Sequence, residues 1–142
     1  PYLTRDFFDR IGATMADRVL LIVAKEGGRR IGGALNFIGD DALYGRWWGT
    51  VADRPFLHFE VCYHRAVDWA IANGLTRVEA GAQGEHKLAR GYLPVETRSA
   101  HLVRDPGFRV AVDRWLADER EAVREADADL LAASPYADRP RR

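Results

Sequence analysis

The chain contains 142 residues, of which 47% are hydrophobic and 30% are charged. These values are typical of a folded globular domain and exclude a disordered chain. The 21 Lys and Arg residues balance the 21 Asp and Glu residues, so the formal net charge is zero. Proteins whose main task is to grip a nucleic-acid backbone normally carry a strong basic excess, so the composition argues against that class.

The sequence shows no segment that would cross a membrane. Its longest unbroken apolar run is Val19–Ala24, whereas a helical span needs about 20 residues. No signal peptide is expected, because the N-terminus lacks a basic region followed by an apolar stretch. The single cysteine, Cys62, cannot form an internal disulfide, and this favours a reducing cytoplasm.

The first part of the chain predicts a helix followed by an antiparallel meander. Apolar residues at helical spacing predict the helix over Thr4–Asp17, with Thr4 as its N-cap. Aliphatic and β-branched runs predict strands over Val19–Lys25, Arg30–Ile38 and Ala42–Trp48. Turns containing glycine separate these strands, since glycine readily takes the positive φ that a tight hairpin needs.

The hydrophobic period then changes and predicts a long helix over Phe56–Asn73, ended by Gly74. A short strand follows over Leu75–Ala80. Because the connection from the helix is short, we expect a crossover that places this strand parallel to the third one.

The remaining sequence predicts a helical turn over Glu85–Arg90, a strand over Val95–Val103 and a helix from Asp105 to Asp129. A polar tail occupies 132–142. The whole order describes an α+β fold in one domain over 1–131: a mostly antiparallel sheet with one parallel junction, flanked by helices.

The densest cluster of chemistry-bearing side chains follows the strand at Leu75–Ala80. Ligands collect at the carboxyl ends of strands that form parallel junctions. Carboxylates and a histidine can deprotonate an amine, and cations can hold an anionic group or a developing oxyanion. The candidates are Glu79, Glu85 and His86 for acid–base catalysis, and Gln83, Lys87 and Arg90 for substrate binding. A solvated helical turn behind a glycine-rich loop would explain the same pattern.

A second cluster, His58 and Glu60, lies at the start of the long helix. Histidine titrates near neutrality and is a natural general base, so we include both residues among the substrate-binding candidates. The attraction of the helix dipole for an early glutamate explains Glu60 equally well.

A third cluster, Arg46, Trp47 and Trp48, closes the third strand. Strict alternation places the two tryptophans on opposite faces of the sheet and Arg46 on the face of Trp48. We therefore expect Trp48 and Arg46 to line a pocket that could receive an anionic ligand.

No metal site is expected, because the histidines and carboxylates lack the spacings of known metal ligands. Cys62 lies within an apolar helical pattern and is interpreted as a buried small hydrophobe, not as a nucleophile.

Four segments together resemble a family of bacterial proteins, the predicted N-acyltransferases of the GNAT superfamily. These proteins are labelled as peptidoglycan biosynthesis or recognition proteins. The resemblance covers residues 3–135 and is most specific over 81–94. The segments are Gly45–Gly49, Leu57–Tyr63, Glu79–Pro94 and the Ser99-x-His101 pair.

This resemblance implies a GNAT-like fold and a relation to Fem-type aminoacyltransferases, which add amino acids to peptidoglycan precursors. Fem-type proteins carry a related pattern of lysine, glycine and aromatic residue, matched here by Lys87, Gly91 and Tyr92. Members of the family are longer, so the resemblance implies that this chain is a C-terminal portion.

One segment departs from the pattern of GNAT proteins that bind acetyl-CoA. Those proteins place a glycine-rich loop before the long helix, where its amides hold pyrophosphate. The corresponding segment, Gly49–Pro55, lacks that pattern, and Asp53 would repel a phosphate. The donor is therefore left open between acyl-CoA and aminoacyl-tRNA, with tRNA as the corresponding partner.

The sequence thus leads to an N-acyltransferase or aminoacyltransferase that acts on an amine, such as that of a peptidoglycan precursor. One alternative is a non-catalytic binding or dimerisation module of the same fold, and a homodimer is a further expectation. A hydrolase that uses the same acidic residues is the third alternative.

Overall fold

The computed structural model describes residues 3–81 and 85–135, without the side chain of Glu85. The chain forms two compact units, Pro1–Gln83 and Gly84–Arg142. The single domain expected over 1–131 stays a prediction.

The first unit begins with helix α1 (Arg5–Thr14) and a 3₁₀ turn (Ala16–Arg18). The helix ends before the predicted Asp17, because the backbone of Met15 leaves the helical region with φ −148°. Thr4 occupies the N-cap position, but its side chain makes no capping hydrogen bond.

The antiparallel meander is confirmed. It consists of β1 (Val19–Glu26), β2 (Arg29–Ile38) and β3 (Ala42–Thr50). The first hairpin turns at Gly27 and Gly28, whose φ angles of +56° and +81° suit glycine.

The parallel junction is also confirmed. Strand β4 (Arg77–Glu79) pairs with β3 in parallel, and the strand order of the sheet is β1-β2-β3-β4. The two strands pair only over Ala42–Tyr44 of β3, which then continues to Thr50 beyond the end of β4. The protein is therefore an α+β fold with a four-stranded mixed sheet.

The predicted long helix forms, but it is interrupted. It consists of α2 (Leu57–Phe59), a π-helical turn (Glu60–His64) and α3 (Arg65–Ala72). Gly74 follows with φ +70°, which ends the helix as expected. The helix covers one face of the sheet, where Leu43, Ala66 and Ala70 form the buried core.

The second unit contains a 3₁₀ helix (Glu85–Arg90) and helix α4 (Pro106–Ala132). The side chain of Asp105 caps α4 by accepting a hydrogen bond of 2.7 Å from the backbone N–H of Phe108. Helix α4 extends beyond the predicted end at Asp129 into the expected tail, of which residues 136–142 lie outside the described part.

The strand predicted over 95–103 is wrong, since these residues pair with no strand of the described chain. Val95 is 80% exposed, and the side chains of Glu96 and Arg98 bond to each other at 2.9 Å. An apolar run becomes a strand only when a neighbouring strand takes up its backbone hydrogen bonds.

No helix within residues 3–81 and 85–135 is both long and apolar enough to cross a membrane.

Candidate functional site

A one-residue bulge in β3 determines the orientation of its tryptophans. Asn36 of β2 pairs with Gly45 and Leu35 pairs with Trp47, so Arg46 is the inserted residue. Because of the insertion, each residue after Arg46 lies on the face opposite to the one that strict alternation from Gly45 would give. Trp48 consequently lies on the helix-covered face, where its ring centre is 5.4 Å from that of His58.

Trp47 lies on the opposite face, in a cluster with Phe7, Phe8 and Phe37. The prediction that the two tryptophans face opposite ways is therefore confirmed. The prediction that Arg46 shares a face with Trp48 is wrong, since its guanidinium carbon stacks 5.1 Å from the centre of the Trp47 ring.

A cleft of about 110 Å³ opens where β3 and β4 separate; we call it the splay cleft. Arg46 and Trp48 both line it, as expected, although their side chains lie on different faces of the sheet. The other walls include Gly45 and Ala80, with Cys62 and Tyr63 from the π-helical turn. Asn36 also lines the cleft; the residue is only 1% exposed, and its carboxamide nitrogen lies 3.4 Å from the carbonyl oxygens of Leu20 and Ala34. This cleft combines apolar walls with a few polar groups, as small-ligand sites do.

A second cleft, of about 220 Å³, lies between the end of β3 and the start of α2; we call it the loop cleft. It is bounded by the loop 50–56 and by Trp48, Leu57, His58 and Phe59.

The loop 50–56 is anchored at both ends. The hydroxyl of Thr50 donates a hydrogen bond of 2.7 Å to the carbonyl of Ile31. The guanidinium of Arg54 donates two hydrogen bonds, of 2.8 and 2.7 Å, to the carboxylate of Glu26. This bidentate contact lowers the pKa of the Glu26 carboxyl.

Trp48 and His58 line both clefts. The imidazole of His58 is held among three rings, with centres 5.4 Å from Trp48, 5.5 Å from Phe59 and 5.4 Å from Tyr63. Histidine can accept a proton near neutral pH, so the wall between the two clefts carries a group suited to acid–base chemistry.

Cys62 also contributes to the splay cleft, and burial raises the pKa of its thiol to about 11. The thiol is therefore neutral at physiological pH. This agrees with the interpretation of Cys62 as a small hydrophobe, because the nucleophilic form of cysteine is the thiolate.

The structure draws two acidic candidates into ion pairs outside both clefts. Glu60 accepts a hydrogen bond of 2.8 Å from Arg65. Glu79 lies 3.6 Å from Arg77, and both side chains are about half-exposed. Neither carboxylate lines the clefts that contain His58.

The other candidates belong to the second unit or lie outside the described residues. In the 3₁₀ helix, Arg90 donates a hydrogen bond of 2.7 Å to the carbonyl of His86, and partial burial lowers the pKa of Lys87. Positions three apart eclipse in a 3₁₀ helix, so Lys87 shares a side with Arg90. Gln83 and the side chain of Glu85 lie outside the described part.

Sequence reasoning missed Asn36, Phe56 and Tyr63. A signal existed for Asn36, which is the one polar residue in the run 34–38. No local signal reveals that Phe56 has φ +63°, a left-handed conformation that costs a bulky residue about 1–2 kcal/mol. Tyr63 reads as an ordinary apolar position of a helix and gives no signal of its own.

No group of three or more metal-binding side chains is found among residues 3–81 and 85–135.

The fold and the clefts define an α+β protein whose candidate ligand site lies where two parallel strands separate, beside a helix. The model of the FemAB-like family, described as peptidoglycan biosynthesis/recognition, matches residues 1–138. The chain belongs to this family. Fem-type members are aminoacyltransferases, so membership supports the transferase class in general terms.

No curated protein and no solved structure matches this chain. The GNAT superfamily assignment therefore stays a prediction.

Proposed function

We propose that the chain is an N-acyltransferase that transfers an activated aminoacyl or acyl group to an amine of a peptidoglycan precursor. The observation that carries this proposal is the shared wall of Trp48 and His58 between two clefts. A donor carbonyl in one cleft and an acceptor amine in the other would meet beside an imidazole. Membership of a peptidoglycan biosynthesis/recognition family supports the same class of reaction.

The splay cleft suits the donor. Strand β3 extends past the end of β4, and its residues Gly45 and Trp48 line the cleft beyond that point. Backbone groups of a strand edge bind extended amides and esters through hydrogen bonds. The buried carboxamide of Asn36 adds a second polar group to this cleft.

His58 acts as the proton carrier. The acceptor first loses one proton to solvent and becomes a neutral amine. Its nitrogen attacks the donor carbonyl carbon, a C–N bond forms, and the second proton passes to a ring nitrogen of His58. The bond between the carbonyl carbon and the leaving oxygen or sulfur then breaks, and the imidazolium returns the proton to the leaving group.

An aminoacyl ester fits better than a coenzyme A thioester. The loop that precedes α2 contributes the carboxylate of Asp53, and the guanidinium of Arg54 is engaged by Glu26. A pyrophosphate would meet an acidic side chain there instead of a glycine-rich set of amides.

Most of the remaining sequence candidates keep their proposed roles. Lys87 and Arg90, on one side of the 3₁₀ helix of the second unit, are suited to bind an anionic group, and Gln83 stays a candidate from the sequence alone. Glu79, Glu85 and His86 are the alternative proton acceptors. Arg46 stays a binding candidate because it lines the splay cleft, whereas Glu60 is held by Arg65 outside both clefts.

A transfer assay tests the proposal. The purified chain is incubated with aminoacyl-tRNA or, separately, acetyl-CoA, and with a peptidoglycan precursor that bears a primary amine. His58→Gln should lower kcat/KM by about 10²–10⁴-fold, the usual contribution of general acid–base catalysis, without a large change in Tm. His64→Gln is the matched control, because His64 is exposed and lies outside both clefts.

Wild-type turnover in the His58→Gln variant would overturn the role of His58. Absence of transfer from either donor, with binding of the precursor retained, would favour the second candidate function.

That second candidate is non-catalytic recognition of a peptidoglycan precursor. It is favoured by Glu79, since this carboxylate is taken up by an ion pair with Arg77 instead of lining a cleft. The family description names recognition beside biosynthesis.

A further inference from the structure

We propose that the loop cleft is a binding site for a primary alkylammonium group, held by Asp53 and the surrounding aromatic rings. This inference rests on the proposed function and deepens it, because the acceptor amine is an ammonium ion before it reacts. The site lies entirely within the first unit.

The charges around the loop cleft favour a cation. Asp53 and Arg54 both line it, but the guanidinium of Arg54 forms its bidentate contact with Glu26. Glu26 is the main cause of the raised pKa of Arg54, and Asp53 is the smallest cause. Glu26, Arg54 and Asp53 therefore sum to one negative charge, and the carboxylate of Asp53 accepts no hydrogen bond from any residue of the described chain.

The aromatic content of the cleft points to the same ligand class. Four of its lining residues carry rings: Trp48, Phe56, His58 and Phe59. Aromatic faces carry negative charge density and attract ammonium groups, and tryptophan is the strongest of them. The combination of one carboxylate with several rings distinguishes this cleft from a phosphate site, which needs amides or guanidinium groups.

The local backbone presents these groups in advance of binding. Phe56 lines the cleft, is 78% exposed and has φ +63°, a left-handed conformation that is held at a cost in backbone strain. The Thr50 and Arg54 hydrogen bonds tie the loop to the β1–β2 hairpin. A loop anchored in this way loses little further freedom on binding.

The position of the cleft connects ammonium binding to transfer. His58 lines both the loop cleft and the splay cleft. An amine released from its ammonium form in the loop cleft therefore faces the donor site across the histidine. The first proton of the ammonium group is released to solvent, because the loop cleft is open and Asp53 is exposed.

Binding is measured by titration of the ¹⁵N-labelled full chain in the absence of any donor. The probes are Nα-acetyl-lysine amide, its uncharged analogue Nα-acetyl-norleucine amide, and inorganic pyrophosphate. We expect the lysine probe to shift the Trp48 indole and the amides of Asp53 and Phe56, and the other two probes to leave them unchanged. Asp53→Asn should raise the Kd of the lysine probe about tenfold, as expected for loss of a charge-assisted contact.

Asp9→Asn is the matched control, because it removes one exposed carboxylate on α1, away from the cleft, and should leave the Kd unchanged. Equal shifts from the lysine and norleucine probes would overturn the proposal, as would an unchanged Kd in Asp53→Asn or stronger binding of pyrophosphate.

The transfer assay separates this inference from the proposed function. Ammonium binding without transfer would overturn the transferase and keep the site. Transfer in which Asp53→Asn leaves the KM for the amine unchanged would overturn the site and keep the transferase.

Discussion

Cys62 lies on the helical wall of the splay cleft, where burial raises the pKa of its thiol to about 11. Alkylation requires the thiolate, so we expect iodoacetamide to label the folded chain slowly at pH 8 to 9 and much faster above about pH 10. The denatured chain is the matched control, since it carries the same single cysteine with an ordinary pKa. Mass spectrometry of samples quenched at intervals gives both rates, and equal rates would show that the thiol is not buried.

The same thiol affects stability in alkaline solution. Between about pH 9 and pH 11 the folded state keeps a proton that the unfolded state has lost. The contribution of the protonated thiol to the free energy of unfolding is therefore fully present below the pKa of the unfolded state. It is lost as the pH rises through the pKa of the folded state.

At the scale of elements, the π-helical turn Glu60–His64 sets the rotation of α2 relative to α3. One residue more than a regular turn is accommodated there, and such turns occur frequently at functional sites. The consequence is that His58 faces Trp48 while Ala66 and Ala70 still face the core.

Deletion of His64 tests this role. The shortened helix would become regular, and residues 57–63 would turn by about 100° relative to α3. Because Val61 and Tyr63 would leave the core and His58 would leave the cleft wall, we expect a lower Tm and loss of transfer, while circular dichroism keeps its helical signal. The His64→Gln variant separates the loss of the side chain from the loss of register. An unchanged Tm and rate would contradict a role for the turn.

At the scale of the whole molecule, equal numbers of basic and acidic residues limit the electrostatic affinity for a nucleic-acid backbone. If aminoacyl-tRNA is the donor, its aminoacyl end supplies most of the recognition. We expect the affinity of this chain for uncharged tRNA to fall with a log–log salt slope no steeper than about −2, as for about two to three neutralised phosphates. Filter binding between about 50 and 200 mM salt measures the slope, and a value near −6 would reveal an extended phosphate-binding surface.

The meander and the parallel junction could be predicted, because alternation, glycine hairpins and a short loop after a helix are local signals. The bulge at Arg46 and the π-helical turn could not, since tertiary packing decides where a single extra residue is accommodated. The strand predicted over 95–103 was wrong for a related reason, since a strand forms only when a partner elsewhere in the chain pairs with it. His58 and Trp48 were found by residue type, whereas their convergence on one wall depends on both irregularities.

The bulge also bears on how sequences of this family are aligned. Arg46 is the extra residue of β3, so a homologue with a gap there keeps the pairing of Asn36 with Gly45 and of Leu35 with Trp47. In such a homologue both tryptophans would keep their present faces. A gap placed instead at Trp47 would put Arg46 opposite Leu35 and remove the tryptophan from the cluster with Phe7, Phe8 and Phe37, while Trp48 would still line the cleft. The position of the gap by a single column therefore decides whether the face opposite the cleft keeps its tryptophan.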